Sequence, residues 1–223
     1  MKLIIATQNK SKLKEIRHIL TGIGVKIISL KELNVKFNIK ENGKTFFANA
    51  VKKTLPVSKI YRDDLVVGED SGLVIRYLNG KPGVYSKRYS GKNWTYLKNN
   101  LKILKQLEGI KHKERQAYFV CCLVLMQNGK LIRKIEGRLN GFISKEIKGK
   151  NGFGYDPIFY PVRKFLSGGV YLSKYKKTIA QLPSVVKNKI SHRALAFRKL
   201  KTYLGKHSIY ARQSVSKTYN FPA

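Results

Sequence analysis

The chain contains few acidic residues, few cysteines and no long hydrophobic segment. Only 12 Asp and Glu stand against 46 Lys and Arg among 223 residues, so the formal net charge is +34. The longest apolar run, 119–126, is far shorter than the roughly 20 residues that a membrane helix needs. The first apolar residues, 3–6, also fall short of the roughly 7–15 of a secretory signal. These absences exclude a membrane-spanning class and predict a cytoplasmic protein.

The two cysteines, Cys121 and Cys122, are neighbours in the sequence. On a strand their side chains point to opposite faces, so they are not expected to form a disulfide that stabilises the fold. Stability must therefore come from a hydrophobic core, and a hydrophobic content of 43% is sufficient for one in a chain of this length.

The excess of positive charge predicts an affinity for polyanions. From Pro157 onward there is no Asp or Glu, against 14 Lys and Arg. Aromatic residues interleaved with these cations could stack on single-stranded bases; they are Tyr171, Tyr175, Phe197, Tyr203 and Tyr210. A nucleic-acid-binding protein is therefore one alternative function, although no known DNA- or RNA-binding motif occurs. Weak nonspecific nucleic-acid contact through the basic surface is also expected as an accessory property of a protein with another main function.

Hydrophobic periodicity predicts an α/β fold. A short apolar strand, a polar loop and an amphipathic helix open the chain, and a helix closes it. Strands are predicted at 3–6, 25–30, 65–68, 117–126 and 130–135, and helices at 12–20, 46–61, 94–107 and 191–204. Asn128-Gly129 predicts a hairpin between two of the strands. We expect one domain over 1–204 and a basic tail over 205–223.

The scarce carboxylates are the first candidates for a site. Glu69 and Asp70 lie side by side after a predicted strand, next to Ser71. Adjacent carboxylates repel each other, and Mg²⁺ bound together with substrate phosphates would remove the repulsion. The alternative is a solvated turn, for which this composition is equally suitable. Glu41 has a similar alternative, as an acid at a helix N-terminus.

Three further segments are suited to nucleotide binding. Residues 7–12 lie between a strand and a helix, where backbone N–H groups and Lys form an anion site; an ordinary polar loop is the alternative. Gly152–Pro157 reads as a tight loop that presents Phe153 and Asp156. Ser191 is a natural helix N-cap, which leaves His192 as a surface imidazole unless it belongs to a site.

Five motifs occur together in the order and approximate spacing of one family. They are Thr7-x-Asn9-x-x-Lys12-x-x-Glu15, Glu69-Asp70-Ser71-Gly72-Leu73, Pro82-Gly83-Val84-Tyr85-Ser86-Lys87-Arg88-Tyr89, Gly152-Phe153-Gly154-Tyr155-Asp156-Pro157-Ile158-Phe159 and Ile190-Ser191-His192-Arg193. With them, the chain from Met1 to about Leu204 closely resembles the Ham1-type inosine/xanthosine triphosphate pyrophosphatases, which hydrolyse non-canonical purine nucleoside triphosphates.

The resemblance implies an elongated α/β protein of two lobes around a mixed twisted sheet with flanking helices, with the active site in a central cleft. It implies a homodimer and Mg²⁺-dependent hydrolysis between the α- and β-phosphates. Such an enzyme releases the nucleoside monophosphate and pyrophosphate, and it keeps deaminated purines out of DNA and RNA.

The resemblance also implies roles for individual residues. The triphosphate is expected to contact Thr7, Gln8, Asn9, Lys10, Ser11, Lys12 and Lys53. Ser71 is expected as a further substrate contact. Glu41, Glu69 and Asp70 are expected as metal ligands, with Asp70 activating the attacking water. Phe153 is expected to stack on the purine. The base and phosphate pocket is expected to include Gly154, Tyr155, Asp156, Lys187, His192 and Arg193.

The chain departs from the family pattern at several points. Ala48 stands where Glu is usual, the segment 162–171 is longer than the usual loop, and the residues before Lys187 lack the usual acids. Lys189 is consequently an alternative to Lys187. A second alternative function keeps the fold but acts on modified pyrimidine or standard triphosphates, because the motifs define the phosphates better than the base.

Overall fold

The computed structural model describes residues 2–35, 40–162, 164–165, 171–172 and 176–215. Six strands form the central sheet: β1 (Lys2–Ile5), β2 (Lys26–Ser29), β3 (Leu65–Ile75), β4 (Gln116–Gln127), β5 (Lys130–Ile143) and β6 (Phe159–Pro161). Their order is β2-β1-β3-β4-β5-β6. β1 is parallel to β2 and β3, and the remaining pairs are antiparallel. The prediction of a mixed α/β sheet is confirmed.

Among the described residues, five α-helices flank the sheet: α1 (Lys10–Ile19), α2 (Phe46–Ile60), α3 (Tyr96–Gln106), α4 (Ser184–Ile190) and α5 (His192–Val215). A small hairpin pairs β7 (Lys164–Phe165) with β8 (Tyr171–Leu172). The helix α5 continues to Val215 and thus extends beyond Leu204, where the boundary between the domain and the basic tail was predicted. Residues 216–223 of the predicted tail, and most of the long segment 162–171, lie outside the described residues.

Strand alternation divides the core between the two faces of the sheet. On one face α1 and α5 pack over β1, β3 and β4, with Ile16 and Phe197 fully buried. On the other face α2 packs over the same strands, with Ala50 and Val57 buried. Phe197 is therefore a core residue and does not belong to the base-stacking surface of the nucleic-acid alternative, whereas Tyr203 is partly buried against the same cluster. Tyr175 and the side chains of Tyr171 and Tyr210 lie outside the described residues.

The strand β3 corrects one prediction. The predicted strand ends at Gly68 and a turn follows, but β3 continues through Glu69 and Asp70 to Ile75 and pairs with β4 along its length. On the α1/α5 side, β3 leaves one hydrophobic cluster at Val67 and enters a second at Leu73. The polar residues of β3 therefore lie at the junction of two core clusters.

Gly137 allows α5 to lie directly on β5. A Cβ at this position would be 2.2 Å from the His192 carbonyl oxygen and 2.4 Å from the Ala196 nitrogen. We expect Gly137→Ala to lower the free energy of unfolding by about 1–3 kcal/mol, because main-chain atoms must move apart. Gly205→Ala, in the exposed part of α5 with no atom within 4 Å of the added Cβ, is expected to raise it by up to about 1 kcal/mol. Urea unfolding of both variants tests this packing, and equal effects would contradict it.

Candidate active site

A cleft of about 540 Å³ opens where β3 passes between the two core clusters. Most of the predicted site residues line it: Thr7, Gln8, Asn9, Lys12, Glu41, Lys53, Asp70, Ser71, Phe153, Gly154, Tyr155, Asp156, Lys187, His192 and Arg193. Residues from the β1–α1 loop, α1, α2, β3, α4 and α5 thus meet in one place. The predicted residues Lys10, Ser11 and Glu69 do not line the cleft.

Two carboxylates of the cleft, those of Glu41 and Asp70, form ion pairs with the same ammonium group of Lys53. Lys53 Nζ is 2.9 Å from Glu41 Oε2 and 3.0 Å from Asp70 Oδ1. Burial by itself would lower the pKa of Lys53, but attraction from Asp70, Glu41 and Glu69 outweighs it and raises that pKa. Burial raises the pKa of Asp70 although Lys53 opposes this. Asn49 Nδ2 donates to Asp70 Oδ2 at 3.0 Å, so both carboxylate oxygens of Asp70 are oriented.

Glu41 lies in the segment before α2 instead of at its N-terminus, because α2 begins at Phe46 and is capped by Thr45. The acid-at-a-helix-start alternative is therefore wrong for Glu41. Its side chain is 41% exposed, unlike Asp70, so it is held in the cleft mainly by its ion pair with Lys53.

Glu69 faces the opposite side of β3 from Asp70. Its Oε1 lies 2.6 Å from Lys12 Nζ and 3.6 Å from an Arg193 nitrogen, and Cys121 Sγ donates to Oε2 at 3.3 Å. Burial alone would raise the pKa of Glu69, but Lys12 and Arg193 lower it well below its usual range. The expected grouping of Glu69 with Glu41 and Asp70 is not found, because successive residues of a strand point to opposite faces.

The donor set fits a magnesium ion that is completed by substrate. In the part of the chain that the structure describes, no three His, Cys, Asp or Glu side chains come together to hold a metal. Glu41 and Asp70, however, already share a cation between them. Mg²⁺ binds through one or two carboxylates plus substrate phosphates and waters, so two converging carboxylates are sufficient.

The loop between β1 and α1 forms one wall of the cleft. Asn9 is the N-cap of α1, and its Oδ1 accepts from the Lys12 backbone N–H at 3.1 Å. Lys12 then extends to Glu69. Lys10 and Ser11 are exposed and do not line the cleft, because the first turn of α1 directs their side chains elsewhere.

A second ionic network connects α1, α4 and α5. Glu15 Oε1 is 2.9 Å from Lys187 Nζ, and Glu15 Oε2 is 2.6 Å from Arg193 Nη1. Lys187 also contacts Asp156 Oδ2 at 2.7 Å. Lys187 is buried and lines the cleft, whereas Lys189 is exposed and does not line it.

The loop 152–156 presents Phe153 to the cleft. Gly152 has φ of 79°, and a Cβ there would lie 2.1 Å from Asp156 Oδ2, so the loop requires glycine. The Phe153 N–H donates to the same Asp156 oxygen at 2.9 Å, and Lys187 Nζ lies 4.4 Å from the centroid of the Phe153 ring. The hydrogen bond of the Phe153 backbone and the contact of its ring with Lys187 thus both fix the position of the ring.

His192 is a buried residue, so the surface-imidazole alternative is wrong. Its ring stacks on Phe119 with centroids 4.8 Å apart, and burial followed by the Arg193 charge lowers its pKa well below the usual range. The imidazole is therefore neutral at pH 7. Among the described residues, His192 Nδ1 and Arg193 Nε have no hydrogen-bond partner. Buried polar atoms of this kind are normally satisfied, so they are available to a ligand.

Several residues of the site were not predicted. Asn49 and Glu15 orient the predicted residues. Glu15 belongs to the first of the five motifs, and Asn49 lies in the predicted helix 46–61. Lys87 and Arg88 line the cleft as well, and they belong to one of the five motifs. Tyr96 lines the cleft without any signal in the sequence, because it stands outside every motif.

Comparison with known proteins identifies the family and agrees with the fold. Residues 3–203 match the model of the Ham1 family. A dITP/XTP pyrophosphatase of Caldanaerobacter subterraneus is 41% identical over 92% of this chain and 96% of its own length. A dITP/XTP pyrophosphatase of Clostridium perfringens is 40% identical over 91% of this chain and 97% of its own length. The structure of a HAM1 protein from Coxiella burnetii has a TM-score of 0.80 at 37% identity, covering 92% of this chain and 99% of its own.

Proposed function

The chain belongs to the Ham1 family, and from this premise we propose that it hydrolyses deaminated purine nucleoside triphosphates, namely ITP, dITP and XTP. The products are the nucleoside monophosphate and pyrophosphate. One observation carries the proposal: the cleft that holds the oriented carboxylate of Asp70 also holds the aromatic and cationic residues that suit a purine nucleotide. The pyrophosphatase names of the relatives support the same reaction.

Asp70 is the general base of this proposal. It takes a proton from a water molecule while the water oxygen forms a bond to one of the two phosphorus atoms that flank the α–β bridge. The bond from that phosphorus atom to the bridging oxygen breaks and the bridging oxygen leaves with the other product, so that the nucleoside monophosphate and pyrophosphate separate. Burial raises the pKa of Asp70, which makes its carboxylate a stronger base than an exposed one. Asn49 and Lys53 hold its two oxygens, so the base is positioned before substrate arrives.

Glu41 and Asp70 would hold the Mg²⁺ ion together with the phosphates. The ion, when bound, neutralises phosphate charge and stabilises the charge that develops in hydrolysis. Lys12 and Lys53 both line the cleft, and their ammonium groups would balance the remaining phosphate charge. Glu69 acts indirectly in this scheme, since it holds Lys12.

The base is bound at the other end of the cleft. Phe153 supplies a stacking surface, and Lys187 with Asp156 fixes that surface in place. Inosine and xanthosine present an oxygen at position 6, where adenine has an amino group. In the part of the chain that the structure describes, His192 Nδ1 and Arg193 Nε are buried without hydrogen-bond partners. A donor from either residue to the 6-oxygen would favour deaminated bases over adenine.

The same proposal extends to assembly and location. The family resemblance supports a homodimer and a pool-cleansing role, and such a role is exercised in the cytoplasm, where nucleotides are made. The helices of the described residues include none that is long and apolar enough to cross a membrane. The +34 charge further supports weak, salt-dependent contact with nucleic acid as an accessory property.

Pyrophosphate release from a panel of triphosphates tests the proposed function. With Mg²⁺ at alkaline pH, we expect rapid hydrolysis of ITP, dITP and XTP and slow hydrolysis of ATP and GTP. EDTA is expected to abolish the activity, and added Mg²⁺ to restore it. Preference for a modified pyrimidine or a standard triphosphate would establish the second alternative. Tight, salt-dependent oligonucleotide binding without any hydrolysis would instead favour the nucleic-acid alternative.

A further inference from the structure

Three aromatic rings form a continuous row that ends at Phe153. The ring centroids of Trp94 and Tyr96 are 5.7 Å apart, and those of Tyr96 and Phe153 are 6.2 Å apart with a 44° angle between the planes. These are the tilted contacts that aromatic pairs prefer. Tyr96 and Phe153 line the cleft and Trp94 does not, so Tyr96 is the second ring of the row that a ligand in the cleft can contact.

The fold holds Tyr96 in this position. Tyr96 is the first residue of α3, and Thr95 caps the helix by accepting from the Lys98 N–H at 3.0 Å. Farther along the helix, Asn100 Nδ2 donates to the Gly154 carbonyl oxygen at 3.2 Å. The helix is therefore tied to the loop that carries Phe153, and the two rings keep their relative positions.

Phe153 alone offers a limited surface to a base. Lys187 Nζ lies 4.4 Å from its centroid and the Arg193 guanidinium carbon 5.9 Å, so cations already share this ring. A purine has two fused rings and extends beyond one phenyl group. Tyr96 is 41% exposed and stands beside Phe153, where it can continue the stacking surface.

The spacing of the two rings determines how a base can use them. A base held between two rings needs about 7 Å between them, twice the ~3.5 Å contact distance. The 6.2 Å between Tyr96 and Phe153 is too short for this, so the rings cannot enclose the base. They can instead present two neighbouring surfaces to the same base.

We propose that Tyr96 is a base-contacting residue that extends the stacking surface of Phe153 and so determines part of the affinity for the purine. This inference deepens the proposed function and rests on it for the location of the base. The Tyr96 ring is the essential group, and its hydroxyl is not required.

Binding of inosine monophosphate (IMP), which is not a substrate for cleavage between phosphates, tests the inference apart from catalysis. By isothermal titration calorimetry we expect Tyr96→Ala to raise the Kd for IMP about five- to tenfold, as loss of a stacking ring does. Tyr96→Phe is expected to retain the affinity. Tyr77→Ala is the matched control, because Tyr77 is 48% exposed and does not line the cleft. The Kd for inorganic pyrophosphate is expected to be the same in all four proteins.

Trp94 provides a second readout, since it is the single tryptophan of the chain and contacts Tyr96. We expect IMP to change its fluorescence and ribose 5-phosphate, which lacks the base, to leave it unchanged. An unaltered Kd for IMP in Tyr96→Ala, or no binding of IMP by the unmodified protein, would overturn the inference. Tyr96-dependent IMP binding in a protein that hydrolyses no purine triphosphate would refute the proposed function and leave the role of Tyr96 standing.

Discussion

Asp70→Asn is expected to reduce hydrolysis of ITP by at least about a thousandfold, because loss of a positioned general base removes 10²–10⁴-fold and one of two metal-binding carboxylates is lost with it. Asn has nearly the same shape as Asp and can remain in the sheet between the neighbouring strands. The effect is therefore expected in kcat. Pyrophosphate release under saturating ITP measures it.

A matched variant separates loss of the base from loss of local structure. Asn49→Ala removes the donor to Asp70 Oδ2 and also the acceptor of the Gly43 backbone N–H, but the Asp70 carboxylate is retained. We therefore expect an intermediate reduction of roughly tenfold, which corresponds to about 1.4 kcal/mol, the value of one hydrogen bond to the base. Circular dichroism and the thermal midpoint of Asp70→Asn should remain close to those of the unmodified protein. Full activity of a folded Asp70→Asn protein would show that another group activates the water.

Arg193→Ala is expected to cost about 3–5 kcal/mol of unfolding free energy, which is typical when one partner of a buried ion pair is removed. Arg193 is 1% exposed, and it contacts Glu15, Glu69 and Ser71. Without it, the buried carboxylate of Glu69 and the half-buried carboxylate of Glu15 each lose a partner. We also expect the preference for ITP over ATP to fall, since Arg193 Nε is one of the two candidate donors to the 6-oxygen. Denaturant unfolding and kcat/KM for both nucleotides measure the two effects.

Arg198→Ala is the control for this prediction, because Arg198 belongs to the same helix but is exposed and makes no ion pair among the described residues. Its effect on unfolding is expected to stay below about 1 kcal/mol. A double-mutant cycle with Glu15→Gln should give a coupling energy of roughly 1–3 kcal/mol. A coupling near zero would mean that Glu15 and Arg193 do not stabilise each other. An unchanged preference for ITP would exclude Arg193 as a selectivity residue.

The β3 strand shows why part of the site could not be predicted from the sequence. Glu-Asp-Ser-Gly is turn composition, and local propensity therefore ends the strand at Gly68. The strand continues because β4 supplies its hydrogen-bond partners and because Lys12 and Lys53, from two different helices, neutralise Glu69 and Asp70. Neither condition is visible in the neighbouring residues.

The hairpin between β4 and β5 shows the opposite case. Asn128-Gly129 predicts a tight turn, and both residues have positive φ values, 49° and 71°, as a type I′ turn requires. The helices α1 and α2 are likewise predicted from periodicity, and polar caps at Asn9 and Thr45 begin them. In each of these elements the determining residues lie within a few positions of one another.

The amino-acid sequence by itself thus determined the α/β class and the elements with strong local signals, such as α1, α2 and the β4–β5 hairpin, because periodicity, capping and turn chemistry act between near neighbours. The motif segments that supply the cleft were predicted from their resemblance to the Ham1 family. Only the tertiary structure decided that Asp70 joins Glu41 and Lys53 while Glu69 turns to Lys12 and Arg193. It also decided that Glu15 clamps Lys187 and Arg193 and that Tyr96 stands beside Phe153. These pairings join residues far apart in the chain, and they depend on which faces of the sheet and helices packing brings together.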